Sequence, residues 1–257
     1  MIGLTAENIE YYQFKALQGP GMFHGVFSRK GGVSPQPWGS LNLGGTVGDD
    51  PENVSENLDR LLSVSGFKRE QLVQVRQVHS SKVVIAEEPV DAESEGDAIA
   101  TDRSGLLLLM RFADCVPVLF FDQENRAIAI AHAGWKGTLE GVVSEVVRKM
   151  GENYGTDPSV LRVGIGPSIG PDHYQIGADV IQLVKESFPA DYERVLIEDQ
   201  DEVKLDLWKA NWIHLKNAGV QQIEISGICT GCDPNLWYSH RAERGRTGRF
   251  AAVIGLL

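Results

Sequence analysis

The chain has 257 residues, of which 42% are hydrophobic and 23% charged, a composition ordinary for a globular protein with a substantial core. The formal net charge of −11 argues against general nucleic-acid binding, because such binding requires a basic surface. The first residues include acidic side chains and no secretory apolar segment, and the longest apolar runs are too short to span a bilayer. The cysteine count, three, does not suit a disulfide framework. We therefore expect a cytoplasmic protein without nucleic-acid or membrane partners.

Short predicted strands and helices alternate along the chain. Apolar runs and alternation predict strands at 23–28, 72–78, 106–111, 116–121, 127–131, 161–165, 223–226 and 250–256. Apolar stripes and capping residues predict helices from Asp50-Pro51 to about Gly66, and at 137–150, 178–187 and 206–218. A hairpin turn at 122–125 joins two of the strands. Strands outnumber helices and several are adjacent hairpins, which favours a mixed α/β fold with largely antiparallel sheets over a doubly wound parallel sheet.

Three potential metal ligands fall at the ends of predicted strands. His79 ends one strand, Cys115 opens the next but one, and His132 follows the strand at 127–131. Their wide spacing is unlike the close pairs of small structural zinc modules, and it suits a catalytic metal site with three protein ligands and an open fourth position. The same residues support a rival interpretation, in which Cys115 is a nucleophile, a histidine is its base and Asp114 orients that base. A role in packing alone is also open at this point.

Other motifs are less specific. Cys229 and Cys232 form a single CxxC, and without a second pair or a thioredoxin-like context we interpret it as structural. The segment 239–250 has four arginines against one acid, which indicates either a local anion site or a solvated turn. The loop at 27–34 combines Arg29 with two glycines, so its backbone N–H groups are able to bind an oxyanion, although a surface turn explains it equally.

Taken together and in order, nine motifs resemble those of the YfiH/YlmD family, described as laccase-domain or polyphenol oxidase proteins and as purine nucleoside phosphorylases. The motifs are FSRKGGVS, SLNLG, VGDDPENV, QVHS, GDAIATD, ADCVPVLFFD, AHAGWKG, GPSIGPDHY and SHRAERGRTGRFA. The resemblance implies a single YfiH-like catalytic domain over 1–257, expected to be monomeric. It also implies that His79, Cys115 and His132 bind Zn²⁺, with Cu²⁺ as the alternative, because they match the family's ligand positions. One departure is Lys136, where the family commonly has arginine.

The activity that the resemblance implies is phosphorolysis of adenosine, inosine, guanosine and 5′-methylthioadenosine by inorganic phosphate, together with deamination of adenosine. One alternative is copper-dependent phenol oxidation, although six histidines are few for a multicopper enzyme. Another is amide hydrolysis by a cysteine or by zinc in the editing of peptidoglycan precursors. The candidate catalytic or ligand-orienting residues are Cys115, Asp97 and Asp114, and the candidates for binding substrate and phosphate are Arg29, Asn42, Arg76, Tyr174 and Arg241.

Overall fold

A computed structural model describes residues 1–89, 93–200 and 202–257, and these form two six-stranded sheets, a two-stranded sheet and six α-helices. The strands are β1 (Ile2–Ala6), β2 (Ile9–Gln13), β3 (Met22–Phe27), β4 (Leu72–Val73), β5 (Val83–Ile85), β6 (Ala98–Thr101), β7 (Leu107–Phe112), β8 (Val116–Asp122), β9 (Ala127–Ala133), β10 (Arg162–Ile165), β11 (Leu196–Asp199), β12 (Glu202–Leu205), β13 (Gln222–Ile225) and β14 (Phe250–Leu256). The helices are α1 (Pro51–Ser65), α2 (Trp135–Leu139), α3 (Val142–Tyr154), α4 (Ala178–Ser187), α5 (Tyr192–Val195) and α6 (Leu207–Asn217).

Both large sheets are mixed. The first has the strand order β1-β2-β3-β14-β7-β4, and the second has the order β13-β10-β8-β9-β6-β5. Within the described residues, β4 and β7, β5 and β6, and β10 and β13 pair in parallel, and all the other paired strands run antiparallel. The prediction of a mixed α/β fold with largely antiparallel sheets is therefore confirmed. The assignment of residues 1–257 to a single domain stays a prediction.

The two large sheets pack face to face around a shared apolar core. Phe250 and Ile254 of β14 lie in one buried cluster with Ile130 of β9. Val253, on the opposite face of β14, packs instead in the cluster that contains Leu61 of α1. Helix α1 thus covers the outer face of the first sheet. A strand buried on both faces has a continuous apolar sequence, which explains why β14 was predictable.

Helix α3 covers the outer face of the second sheet. The helix-facing side chains of β9 are all small: Ala127, Ala129, Ala131 and Ala133. Against them pack the buried residues of the predicted helical stripe, Val142, Val143, Val146, Val147 and Met150. Because alanines add little bulk, the helix can approach the strand closely. Each fully buried valine contributes about 1.5–3 kcal/mol, so this stripe fixes the helix on the sheet that carries the site described below.

The prediction of one strand over 72–78 was wrong, since β4 ends at Val73. Beyond it, the side chain of Gln77 takes the place of a backbone partner for β7. Its Nε2 donates to the carbonyl oxygen of Arg111 at 2.8 Å, and its Oε1 accepts from the Arg111 N–H at 3.0 Å. A side-chain amide satisfies both backbone groups of Arg111, so the ladder stops while the chain continues towards His79.

The predicted helix at 137–150 is in fact two helices. Gly141 has φ 76°, a left-handed conformation that ends α2 and precedes α3. Helix α3 also runs past Gly151, the predicted end, and is capped by Gly155 at φ 72°. In contrast, α1 has the predicted caps: the Asp50 side chain accepts from the Glu52 N–H, and Gly66 is left-handed. Among the described residues, no helix is both long and apolar enough to cross a membrane.

Candidate active site

The site is organised around Asp97, a fully buried carboxylate just before β6. Backbone N–H groups of Val78, His79 and Ser80 donate to it at 3.1, 2.9 and 2.7 Å, and the Ser80 hydroxyl donates at 2.9 Å. This wrapping holds His79 in a left-handed conformation, with φ 62°. The remaining contact is with the Nδ1 of His132, at 2.9 Å. One carboxylate therefore fixes the backbone of one histidine and the ring of the other.

The ionisation of Asp97 follows from these contacts. Burial alone raises the pKa of Asp97, but hydrogen bonds from His132 and Ser80 outweigh burial and hold that pKa at about 2. The carboxylate is therefore ionised near neutral pH. A carboxylate on Nδ1 keeps a proton at that nitrogen, which leaves Nε2 of His132 available as a ligand.

His79, Cys115 and His132 come together as the spacing predicted. One donor atom from each lies within 4.8 Å of the others, and the Cys115 Sγ lies 4.0 Å from the His79 Nε2. In a tetrahedral zinc site, sulfur and nitrogen ligands lie about 3.6 Å apart, from bond lengths of ~2.3 and ~2.1 Å. The observed separation is close to that value. One thiolate with two imidazole nitrogens is also a donor set that suits zinc or copper rather than magnesium or calcium.

Gly134 lies directly against these ligands. A Cβ at this position would lie 3.0 Å from the Cδ2 of His79 and 3.1 Å from the Sγ of Cys115. A side chain here would press on both ligands, which would have to move by a few tenths of an ångström. The glycine also precedes α2, so the chain leaves β9 immediately beside the site.

The thiol of Cys115 is activated by its neighbours. Burial raises the pKa of Cys115, but the charges and hydrogen bonds of His132 and His79 outweigh burial and lower the pKa to about 6. Burial conversely lowers the pKa of His132, and the thiolate and Asp97 raise it to about 9. The arrangement thus favours the thiolate, the form that binds metal or attacks an electrophile.

The three residues open into a pocket of about 810 Å³, which we call the active-site pocket. Its lining includes these ligands with Asp114, Tyr174, His240 and four arginines, Arg76, Arg111, Arg241 and Arg249. Burial raises the pKa of Tyr174, so its hydroxyl stays protonated and able to donate. The volume is within the range of small-molecule sites. A pocket with several guanidinium groups beside a metal-ligand cluster is suited to an anionic reactant.

Asp114 holds the wall of this pocket. Its carboxylate accepts from the Thr230 hydroxyl and from the Arg241 backbone N–H, each at 2.7 Å. Its carbonyl oxygen accepts from the Ile169 N–H at 3.0 Å. No hydrogen bond between Asp114 and His79 or His132 is present among the described residues. Asp97 therefore orients the histidine, and Asp114 joins three loops.

The family described as "Multi-copper polyphenol oxidoreductase laccase" matches residues 23–257. The chain belongs to this laccase-domain family. It is 38% identical to a Deinococcus radiodurans protein named purine nucleoside phosphorylase, over 91% of this chain and 88% of that protein. It is 34% identical to the Escherichia coli purine nucleoside phosphorylase YfiH, over 90% of this chain and 92% of that protein.

Solved structures of the laccase-domain family agree with the fold. YlmD from Geobacillus stearothermophilus has a TM-score of 0.90 at 33% identity, covering 98% of this chain and 97% of that one. YfiH from Bacillus licheniformis has a TM-score of 0.90 at 31% identity, with the same coverage. The predicted resemblance to the YfiH/YlmD family is confirmed.

Two residues predicted to bind substrate lie outside the pocket lining of this laccase-domain chain. Arg29 is buried, pairs with Glu243 at 3.0 Å and stacks over Tyr238 at 4.3 Å. Its guanidinium also donates to the carbonyl oxygens of Gly39 and Pro234. A guanidinium with these partners cannot clamp a phosphate in the active-site pocket, so the structure gives Arg29 a structural position.

Asn42 is the other such residue, and it is fully buried. Its Oδ1 accepts from the backbone N–H groups of Gly44 and Arg249 at 2.9 and 2.8 Å, and its Nδ2 donates to Asp49 at 2.8 Å. Both Gly44 and Arg249 line the pocket. Asn42 therefore acts through these two neighbours rather than by direct contact.

The other residues predicted to bind substrate lie in the pocket lining, together with two arginines that were not predicted individually. Arg76, Arg241 and Tyr174 line the pocket, with Arg76 in an exposed ion pair with Glu95, and their role in binding substrate stays a prediction. Sequence reasoning did not single out Arg111 individually, although a charged residue ending the apolar run at 106–111 was a usable signal. Arg249 was covered only as part of the arginine-rich segment. Lys136, the departure from the family pattern, is exposed and outside the lining.

Proposed function

We propose that the chain is a zinc-dependent purine nucleoside phosphorylase acting on adenosine, inosine, guanosine and 5′-methylthioadenosine, and that it also deaminates adenosine to inosine. The observation that carries the proposal is the single pocket shared by His79, Cys115, His132 and the arginines. The names of the relatives support the nucleoside substrate and phosphate. The charge and cysteine content support a cytoplasmic enzyme, and we propose that it acts as a monomer without nucleic-acid or membrane partners.

Phosphorolysis requires an anion to be held beside the ribose. A phosphate oxygen forms a bond to C1′, the bond from C1′ to the purine nitrogen breaks, and its electron pair leaves with the base, which takes up a proton. Arg241 and Arg249 line the pocket, and each donates from Nη1 to backbone carbonyl oxygens, so we assign the Nε and Nη2 groups of both as the donors to phosphate. Arg241 also lies over the Tyr174 ring at 5.1 Å, which restrains its position. These residues bind and orient the phosphate for attack.

The ligand set supports zinc because it combines one activated thiolate with two imidazole nitrogens, one of them oriented by Asp97. When bound, zinc supplies Lewis-acid catalysis and a water of lowered pKa, which is the chemistry that deamination at purine C6 requires. In the protein, Asp97 orients the ring of His132, and Gly134, which has no side chain, leaves space for His79 and Cys115.

The test uses protein stripped of metal and then restored with zinc, incubated with adenosine with and without inorganic phosphate, with products separated by chromatography. With phosphate we expect adenine, ribose 1-phosphate, and inosine together with hypoxanthine, without phosphate we expect inosine alone, and after stripping we expect none of these products. Arg241→Ala is expected to raise the KM for phosphate about tenfold or more, since a lost charge-assisted pair costs about 1.5–3 kcal/mol. Arg246→Ala is the matched control, because Arg246 is exposed and outside the lining. Full turnover by the stripped protein contradicts the zinc requirement.

A second candidate function is amide hydrolysis, as in the editing of peptidoglycan precursors. The specific observation in its favour is the sequence of contacts from Cys115 to His132 to Asp97, which resembles an activated nucleophile with its base and orienting carboxylate. The same stripped protein distinguishes the two, because a cysteine nucleophile needs no metal. Hydrolysis of a peptide amide that survives stripping, with no nucleoside turnover, favours this candidate.

Copper-dependent phenol oxidation is the third candidate, and the family's description favours it. Measurement of bound metal in protein purified without added copper separates it from the zinc enzyme. Stoichiometric copper, with oxidation of phenols and no release of purine base, would establish it in place of phosphorolysis.

A further inference from the structure

A second cluster of metal-ligating side chains lies apart from the active-site pocket. It consists of Asp172 and His173, in the loop after β10, and Cys229 and Cys232, in the segment after β13. One donor atom from each lies within 4.8 Å of the others. Both cysteines are free thiols. We call these four residues the CxxC cluster.

The distances within the CxxC cluster match tetrahedral coordination. The Sγ atoms of Cys229 and Cys232 lie 3.6 and 3.7 Å from the Nδ1 of His173. Zinc with bonds of ~2.3 Å to sulfur and ~2.1 Å to nitrogen places these ligands about 3.6 Å apart. The Oδ2 of Asp172 lies 3.1 Å from both the Cys232 Sγ and the His173 Nδ1. That spacing is a few tenths of an ångström shorter than in a zinc site, and an exposed carboxylate can move by this amount.

The backbone around the cluster is shaped for the ligands. The N–H of Cys232 donates to the carbonyl oxygen of Cys229 at 3.3 Å, which closes the CxxC turn. The N–H of Gly170 donates to the Sγ of Cys229 at 3.1 Å, which fixes the position of that sulfur. At Gly231, a Cβ would lie 3.3 Å from the His173 ring. The glycine inside the CxxC turn therefore leaves room for the imidazole.

We propose that Asp172, His173, Cys229 and Cys232 bind one structural zinc ion. Two thiolates and an imidazole are ligands that select zinc over hard cations, and four protein ligands leave no open position, as in structural rather than catalytic sites. The ligands come as two pairs of close residues from separate loops, so the ion cross-links the segment after β10 to the segment after β13. The proposal does not depend on which reaction the active-site pocket performs.

The cross-link stiffens one wall of the active-site pocket. Tyr174, which lines the pocket, directly follows the ligand His173. Thr230, which directly follows the ligand Cys229, donates to the Asp114 carboxylate at 2.7 Å. The zinc ion therefore holds two segments that contact the pocket without touching a substrate itself.

The first measurement is the zinc content of protein purified without added metal. Cys232→Ser is expected to lose one equivalent of zinc relative to the wild type, and His79→Ala is expected to keep that equivalent. Asn235→Ala is the matched control, because Asn235 is exposed in the same segment and outside the cluster. Equal zinc content in Cys232→Ser and the wild type overturns the proposal. If only His79→Ala loses zinc, the proposal for the CxxC cluster is also overturned, whereas the proposal of zinc at the active site stands.

Cobalt substitution provides a readout of the ligands themselves. In a Cys115→Ala background, where the active site has no thiolate, the cobalt-loaded cluster is expected to show thiolate-to-cobalt charge-transfer absorption, and adding Cys232→Ser is expected to weaken it strongly. If Cys232→Ser fails to fold, Asp172→Asn keeps both thiols and is expected to release the ion faster to a chelator than Asn235→Ala. Thiol titration tests whether Cys229 and Cys232 instead form a disulfide. Two thiols that react only after reduction, rather than after chelation, indicate a Cys229–Cys232 disulfide and overturn the proposal.

Discussion

Replacing Asp97 with asparagine is expected to weaken both folding and metal binding, although the side chain keeps its size. The carboxylate accepts from Val78, His79 and Ser80, and it contacts the Nδ1 of His132. An amide has a single acceptor oxygen, and its NH2 group is a donor. Whichever way the amide turns, its NH2 faces groups that now donate to a carboxylate oxygen.

The magnitude follows from counting these groups. With the amide oxygen on the Oδ2 side, the N–H of His79 and the Nδ1–H of His132 lose their acceptor. With the amide reversed, the N–H groups of Val78 and Ser80 lose theirs, whereas the Ser80 hydroxyl can rotate and accept from the amide instead. Each unsatisfied donor in a buried site costs about 1–3 kcal/mol, so the two together cost about 2–6 kcal/mol. That is a large share of a typical free energy of unfolding, about 5–15 kcal/mol. Zinc affinity is expected to fall about 10–100-fold, because His132 loses the group that orients its ring.

Urea denaturation of the metal-free protein measures the stability, and competition with a chromophoric chelator measures zinc affinity. Asp102→Asn is the matched control, because Asp102 is exposed. Ser80→Ala gives an intermediate case, since it removes only the hydroxyl donor and is expected to cost about 1.5–3 kcal/mol. If Asp97→Asn and Asp102→Asn unfold at the same urea concentration and bind zinc equally well, the assignment of Asp97 as the organising residue is wrong.

Three further predictions concern stability and metal binding. Burial lowers the pKa of His24 to about 4, so the unfolded chain takes up a proton first as the pH falls. About 3 kcal/mol of the stability present above pH ~6.5 is therefore lost towards pH ~4. Urea titrations at both pH values check this, and an equal loss of stability in His24→Gln contradicts it. Gly134→Ala is expected to lose active-site zinc while keeping its circular dichroism spectrum, because the new Cβ presses on Cys115; unchanged metal content refutes this. Arg29→Met is expected to cost about 3–5 kcal/mol by breaking the buried ion pair with Glu243, and a raised KM for phosphate in the folded fraction would instead place Arg29 in the substrate site.

The sequence predicted the central strands and the capped helices well because each has a local cause. β8, β9 and β14 are buried along their whole length, so their apolar runs identify them. The Asp206 side chain accepts from the Lys209 N–H at the start of α6, as its capping pattern indicates. Strands β1, β11 and β12 were missed because each has only four or five residues and is partly exposed.

The candidate site was predictable to the extent that its residues lie at strand ends. His79, Cys115 and His132 follow that rule, although His132 lies inside β9 rather than after it. The unequal roles of Asp97 and Asp114 depend on which donors surround each carboxylate, and spacing carries no information about that. Arg29 illustrates the same limit, since its ion pair connects positions more than 200 residues apart.

The CxxC cluster had only half of its pattern visible in the sequence. Cys229 and Cys232 stand out as a close pair, but their partners are another adjacent pair in a distant loop. Asp172 is 60 residues from Cys232 and meets it only because β10 and β13 are parallel neighbours in the second sheet. A ligand set assembled from two loops in this way is recognisable only once the sheet order is known.

The position of β14 in the first sheet has a consequence for how the chain folds. β14 lies between β3 and β7, with Ile254 opposite both His24 and Leu108. Until residues 250–256 are available, both of those strands lack their central neighbour and expose unpaired edges. Pairings so far apart along the chain have a high entropic cost of loop closure and slow the search for the native state. We therefore expect the N-terminal half of the chain, when it emerges from the ribosome, to depend on the last strand for its own sheet to close.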